Sequence, residues 1–200
     1  MIHHLEYPFS LEQIQKLKLG DTVYVSGKII ISAGIPAYKR LVEYVKSVQE
    51  LPVDIAGGAL FHLGANTQKI DGQDKVLYIN PTTSARFNPY MPTLIRELDL
   101  RLVGGKGGLD SGSVEAMQET GCVYLAFLGG GAPIYSRAVT SAVADIYWTD
   151  LVPHYRLTQL RAHQLGPLIV AIDAHGNSLY EQVEVNLEYK YPEILEKLNR

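Results

Sequence analysis

Apolar and polar positions change period several times along the chain. Residues 11–19 form a short mixed segment that stops at Gly20-Asp21. Residues 22–32 carry Val23, Val25, Ile29, Ile30 and Ile31, a β-branched set that predicts a strand. Pro36 then suits the first position of a helix, where its missing N–H costs nothing. Leu41, Tyr44, Val45 and Val48 share one face of that helix, which the pattern carries to about residue 49. Two further strands are expected over 53–63, with Gly57-Gly58 breaking its start, and over 75–79. Asn88-Pro89 reads as a cap and first helical residue, followed by Tyr90, Met91, Leu94, Ile95 and Leu98 at helical spacing.

The alternation continues with a brief strand over 100–103 and a helix capped by Ser111 or Ser113. That helix runs to about Thr120 and is stopped by Gly121. Residues 122–128 predict a strand and 133–143 a helix. The last third is richer in strands, over 145–151, 156–162 and 168–173. Ala174-His175-Gly176-Asn177 reads as a tight turn into a strand near Leu179, and 193–200 as a terminal helix. Alternating elements with strands gathering late predict an α/β fold with a mixed sheet. No repeat or low-complexity tract interrupts it.

The 200 residues suit one domain, 1–200. Hydrophobic residues make up 46 % and charged residues 20 %, enough for an ordinary core and against disorder. A net charge of −3 gives no footprint for nucleic acid. No apolar run reaches the roughly 20 residues of a membrane span. Met1–Glu6 lacks the charged-then-apolar start of a signal peptide, so a cytoplasmic location is expected. The single cysteine, Cys122, cannot by itself form an intrachain disulfide, a zinc site or an iron–sulfur cluster. It leads an apolar strand and reads as a buried small hydrophobe. The six histidines show no metal-ligand spacing. Thirteen tyrosines against four phenylalanines point toward a partner surface, and so toward a homo-oligomer as one reading.

Candidate chemistry concentrates in two polar stretches. Asn80-Pro81-Thr82-Thr83-Ser84-Ala85-Arg86 lies between a strand and a helix, and Gly104-Gly105-Lys106-Gly107-Gly108 follows the next strand. Hydroxyls there can cap a helix. The same free N–H groups favour an anion, and Arg86 can hold a carboxylate by two parallel bonds. Lys106 sits among glycines that allow a ligand close to backbone. A P-loop is excluded, because no Ser or Thr follows Lys106 and the upstream glycine is missing. Gly129-Gly130-Gly131 lacks the dinucleotide pattern and reads as a strand-to-helix turn.

Taken in order, these stretches resemble the β subunit, or C-terminal domain, of the class I iron–sulfur fumarate hydratases and L-tartrate dehydratases. The stretch from Gly20-Asp21-Thr22-Val23 to Ile29 resembles the family's opening strand, and Ala37-Tyr38-Lys39-Arg40-Leu41 the end of its first motif. Pro81-Thr82-Thr83-Ser84-Ala85-Arg86 and Gly105-Lys106-Gly107-Gly108 match the two central motifs. Gly129-Gly130-Gly131-Ala132 and Ile172-Asp173-Ala174-His175-Gly176-Asn177 resemble the later ones.

The resemblance implies a swivelling β/β/α three-layer domain and a hydro-lyase that reversibly dehydrates a hydroxy (di)carboxylic acid. It implies a [4Fe-4S] cluster on a separate, cysteine-bearing α subunit, none being held by this chain alone. By motif position it implies Thr82 as catalytic base, with Thr83, Ser84, Arg86 and Lys106 binding substrate.

The family's first motif carries Arg-Asp, two small residues and His, whereas Gly34, Ile35 and Tyr38 occupy those places here. Asn80, Phe87 and Asn88 replace the family's Gly and Met-Asp in the second. A smaller or less charged hydroxy acid is one reading of these changes. The alternative is a non-catalytic anion-binding or structural homologue.

Overall fold

The computed structural model describes residues 1–139 and 144–198, apart from the side chains at 188, 189, 192 and 193. The elements begin with β1 (Ile2–Glu6), α1 (Leu11–Gln15), β2 (Thr22–Ile31), α2 (Ile35–Lys46) and β3 (Ala59–Phe61). An antiparallel ribbon of β4 (Leu63–Ile70) and β5 (Gln73–Pro81) follows, then a 3-10 turn (Ser84–Phe87) and α3 (Met91–Glu97). Next come β6 (Leu102–Gly105), α4 (Ser111–Thr120), β7 (Val123–Ala126) and α5 (Ala132–Ser136). β8 (Ala144–Tyr147), a second 3-10 turn (Pro153–Tyr155), β9 (Leu157–Ile172) and α6 (Leu179–Leu198) complete the described chain.

The fold is mixed α/β. A seven-stranded sheet runs in the order β1-β2-β3-β6-β7-β9-β8. Strands β1, β2, β3, β6 and β7 pair in parallel, while β9 is antiparallel to β2, β7 and β8. Ile169 of β9 faces both Thr22 of β2 and Ala126 of β7, so β2, β3, β6, β7 and β9 close into a ring. Both sides of these strands are covered. Val23, Val25, Ile29 and Ile31 join Phe61, Leu102 and Leu125 in one apolar cluster. Ile30, Leu60, Val103 and Tyr124 point the other way, against Leu94 and Ile95 of α3 and Met117 of α4. Burial on two faces explains why the strands read as continuous apolar runs. Each fully buried Leu or Ile contributes about 1.5–3 kcal/mol.

Several expectations are corrected. The two strands expected over 156–162 and 168–173 are one, because β9 continues through Gly166-Pro167. No strand begins near Leu179. Helix α6 starts there, and the terminal helix expected over 193–200 is its far end, with 199 and 200 outside the described residues. The strand expected over 53–63 shrinks to β3, and Val53 and Ile55 are buried without regular structure. Strands β1 and β4 carry no strong β pattern and appear in addition. Asn88 does not cap α3, which begins at Met91. Its side chain accepts from the Asp110 N–H instead, at 3.3 Å. The helix expected over 133–143 is the short α5, and residues 140–143 lie outside those described.

Candidate functional site

The site is assembled where the β4–β5 ribbon leaves the main sheet. His62 follows β3 directly, and its N–H bonds the Gly104 carbonyl at 2.6 Å. The ribbon register sets Leu63 opposite Pro81, so the returning chain delivers Thr82 to His62. The Thr82 N–H bonds the His62 carbonyl at 2.9 Å. Beside it, the Lys106 N–H bonds the Thr82 carbonyl at 3.1 Å and the Ser84 N–H bonds the Lys106 carbonyl at 2.8 Å. The two polar stretches of the sequence are therefore neighbours, stitched through backbone.

Thr82 and Arg86 meet through side chains. The Arg86 guanidinium donates from Nη2 to Thr82 Oγ1 and to the Ala33 carbonyl, and from Nε toward the Thr83 carbonyl. Among the described residues, its Nη1 has no hydrogen-bond partner. Both residues line a cavity of about 280 Å³ with Ala33, Gly64, Tyr78, Asn80, His154 and Tyr155. Among the described residues, no carboxylate pairs with Arg86 or Lys106. Thr83 is exposed and lies opposite Lys106 in a parallel bridge. The Lys106 stem passes Gly129, so its side chain leaves the segment toward the triple-glycine turn and does not line the cavity.

Ser84 is placed apart from the cavity, fully buried. Its hydroxyl lies 2.7 Å from His62 Nδ1 and 2.7 Å from the Tyr124 hydroxyl. The Tyr124 ring packs edge-on against Tyr180, with ring centroids 6.1 Å apart. Among the described residues, His62 Nε2 is buried without a partner. A bare acceptor is tolerated better than a stranded N–H. The hydrogen therefore sits on Nδ1, and His62 donates to Ser84 and Ser84 to Tyr124. Burial, then the Arg86 charge, holds the His62 imidazole down at about 3, so it is neutral. Burial pushes the Tyr124 phenol well above its ordinary range. The chain of hydroxyls needs Gly105, because a Cβ there would stand 2.3 Å from Ser84 Oγ.

Spacing alone does not find His62 or Tyr124. His62 has no partner nearby in sequence, and Tyr124 reads as one more strand residue. The available signal is a histidine set between Phe61 and Leu63, since an imidazole buried there requires a polar neighbour.

The departures in the first motif have structural partners. Tyr38 is fully buried and stacks on Phe87 with ring centroids 4.1 Å apart, so two altered positions pack on each other. Gly34 is backed by Tyr155, and a Cβ at position 34 would stand 2.2 Å from the Tyr155 Cβ. Cys122 is buried, and burial raises its thiol well above the ordinary range. Among the described residues, no three His, Cys, Asp or Glu side chains gather at metal-binding distance. A lone protonated thiol in an apolar cluster does not fit an iron–sulfur cluster on this chain.

With this geometry in place, comparison with known proteins defines the class. The Fumarase C-terminus family model matches residues 3–183, and the chain belongs to that family. It is 34 % identical over 195 residues to "Putative L(+)-tartrate dehydratase subunit beta" of Methanocaldococcus jannaschii, covering 96 % of this chain and 99 % of that one. Identity to L(+)-tartrate dehydratase subunit beta of Escherichia coli K12 is 30 % over 175 residues, 88 % of this chain and 85 % of the relative. "Putative fumarate hydratase class I" of Geobacillus stearothermophilus is 33 % identical over 181 residues, which are 90 % of this chain but 34 % of that protein.

Proposed function

We propose that this chain is the β-type subunit of a hydro-lyase that reversibly removes water from a hydroxy carboxylic acid. One observation carries the reading: Arg86, unpaired with any described carboxylate, bonds the Thr82 hydroxyl at the wall of a cavity. The relatives' names support the same class of activity. They also support a partner α subunit, since two of them are named as β subunits. We read residues 1–200 as one swivelling β/β/α domain that closes on that partner in the cytoplasm. The [4Fe-4S] cluster implied by the family belongs on the partner, because the residues of this chain do not fit it.

Dehydration breaks a C–H bond next to a carboxylate and a C–O bond on the adjacent carbon. The proton and hydroxide leave as water. Negative charge builds on the carboxylate side as the proton departs, and a fixed guanidinium stabilises it. Arg86 holds the carboxylate through its free Nη1 edge, while Nη2 remains on Thr82. Thr82 Oγ1 takes the proton. A threonine hydroxyl is a weak base until adjacent positive charge favours its deprotonated form, and the Arg86 hydrogen bond supplies that charge. Lys106 adds a second cation on the other side of the segment, and Thr83 a hydroxyl beside it. Ser84 holds the segment from beneath.

The test is an anaerobic dehydration assay on the purified α/β pair. Thr82→Ala lowers kcat by about 10²- to 10⁴-fold with little change in KM, the scale of lost proton transfer. Arg86→Ala raises KM by about 10- to 100-fold, the scale of one charged hydrogen bond, and also lowers kcat, because the same guanidinium activates Thr82. Unaltered rates in both variants would overturn the assignment.

A further inference from the structure

One buried residue touches the Thr82–Arg86 segment through its backbone, its ring nitrogen and its ring face. His62 occupies the joint between β3 and β4, and its N–H ties it to the Gly104 carbonyl of β6. Its carbonyl accepts the Thr82 N–H at 2.9 Å. Its Nδ1 lies 2.7 Å from the Ser84 hydroxyl. Its ring packs on Phe87 with centroids 4.6 Å apart. Ser84 and Phe87 are fully buried, while Ala85 and Arg86 between them are exposed. Arg86 therefore projects from a 3-10 turn anchored at both ends, and its guanidinium lies 5.4 Å from the Phe87 ring centroid.

The choice of an imidazole here is not explained by packing. Among the described residues, His62 Nε2 is buried without a partner, and a polar atom in that state costs about 1–3 kcal/mol. A leucine would fill the same place against Tyr38 and Phe87 without that cost. What leucine lacks is the N–H that Nδ1 gives to Ser84. The Ser84 hydroxyl also lies 2.7 Å from the Tyr124 hydroxyl, so it is fixed from β7 as well. Strand β6 closes on the pair from a third side, where a Cβ at Gly105 would stand 2.3 Å from Ser84 Oγ and 2.8 Å from His62 Cβ. Removing the Nδ1–Ser84 bond releases the start of the turn, and Arg86 moves relative to Thr82, to which it is bonded.

We propose that His62 is the positioning residue for the Thr82–Arg86 pair, acting through Ser84 and Phe87. It is fully buried and does not line the cavity, so it meets no substrate. The kinetic consequence rests on the hydro-lyase reading above. The placing of residues 82–87 is a property of this chain alone.

The experiment compares His62→Leu, which fills the space and removes the donor, with His62→Asn, which keeps an N–H toward Ser84. The first readout is amide hydrogen exchange on the full chain. His62→Leu should speed exchange at the Ser84 and Lys106 N–H groups, which bond the Lys106 and Thr82 carbonyls, and leave the amides of β2 as they are. His62→Asn should keep both protected. The second readout is the anaerobic dehydration assay on the α/β pair. His62→Leu should lower kcat by about 10- to 100-fold, the scale of a reacting group displaced by about 1 Å, and His62→Asn should recover most of that loss. In a Thr82→Ala background the leucine should cost little more, because positioning acts through Thr82, whereas a merely structural role would cost the same factor in both. Should the leucine variant fail to fold, Ser84→Ala removes the same bond from its other side and should give the same pattern. Unchanged exchange at Ser84 and Lys106 overturns the inference, as does a kcat loss of equal factor with and without Thr82. If the unaltered pair dehydrates no hydroxy acid, the hydro-lyase reading fails, and the exchange measurement still decides whether His62 holds the segment.

Discussion

At the scale of single residues, the most constrained group is a histidine that touches no solvent. His62 is fully buried, its Nδ1 spent on Ser84, its ring set against Tyr38 and Phe87. Its folded-state pKa is held at about 3, against 6.5 for the free side chain, by burial first and the Arg86 charge second. The unfolded chain therefore takes up a proton that the folded chain refuses. The stabilisation is complete above pH 6.5 and drains as pH falls toward 3. Between pH 7 and pH 5 this one group removes about 2 kcal/mol of stability. His62→Asn keeps an N–H at the Nδ1 position and removes the titration. Urea melts at the two pH values should show the unaltered chain losing about 2 kcal/mol more than the variant between them. Equal losses would mean that water reaches the ring.

Among the elements, α4 shows how local chemistry sets a boundary. Asp110 has an extended backbone, and its carboxylate accepts from the Ser113 N–H at 3.1 Å and from the Ser113 hydroxyl at 2.8 Å. Gly121 ends the helix in the left-handed region, with φ at 74°. Both signals are in the sequence, and the helix and its stop at Gly121 were legible, but the cap is Asp110 and neither Ser111 nor Ser113. Asp110→Ala should cost about 1 kcal/mol of stability and Asp110→Ser only a few tenths, read as shifts in the urea midpoint. A large loss for serine would mean that the carboxylate does more than cap. Elements β2, α2, β5 and β7 were legible for similar reasons: β-branched runs, a proline start, an apolar face. The failures have a common cause. Helix α6 carries Val183, Val185 and Leu187 in alternation, a strand-like pattern on a stretch of helix where all three remain exposed. Strand β4 is buried only at its start, Leu63 to Ala65; beyond that Asn66, Thr67, Gln68 and Lys69 run out into a two-stranded ribbon, so no alternating buried face marks it. In the site, Thr82, Arg86 and Lys106 were legible as motif residues. The separation of Lys106 from the cavity and the sinking of Ser84 into the core were not. Both follow from the ribbon register and from Tyr124, which lies forty residues from Ser84.

For the molecule as a whole, the decisive element is β9. No local pattern says that one strand pairs with β2 along most of its length and then with β7, closing the ring. That closure joins the N-terminal strands, the ribbon base beneath Thr82 and the late strands in one hydrogen-bonded circuit. Breaking any member opens the others, so the chain should unfold as one cooperative unit. Trp148, the only tryptophan, reports on one side of this circuit. Its ring packs against Tyr44 of α2 and lies 5.3 Å from the Arg40 guanidinium. Leu125 of β7 is buried on the far side of the ring, in the apolar cluster with Phe61 and Leu168. Leu125→Ala should cost about 2–5 kcal/mol. In urea, Trp148 fluorescence and far-ultraviolet circular dichroism should give one shared midpoint, and the variant should move both by the same amount. A variant that moved the dichroism midpoint and left the Trp148 midpoint in place would divide the chain into two separately stable parts. The single circuit, and the fixed relation it gives Thr82 and Arg86 to the rest of the chain, would then be wrong.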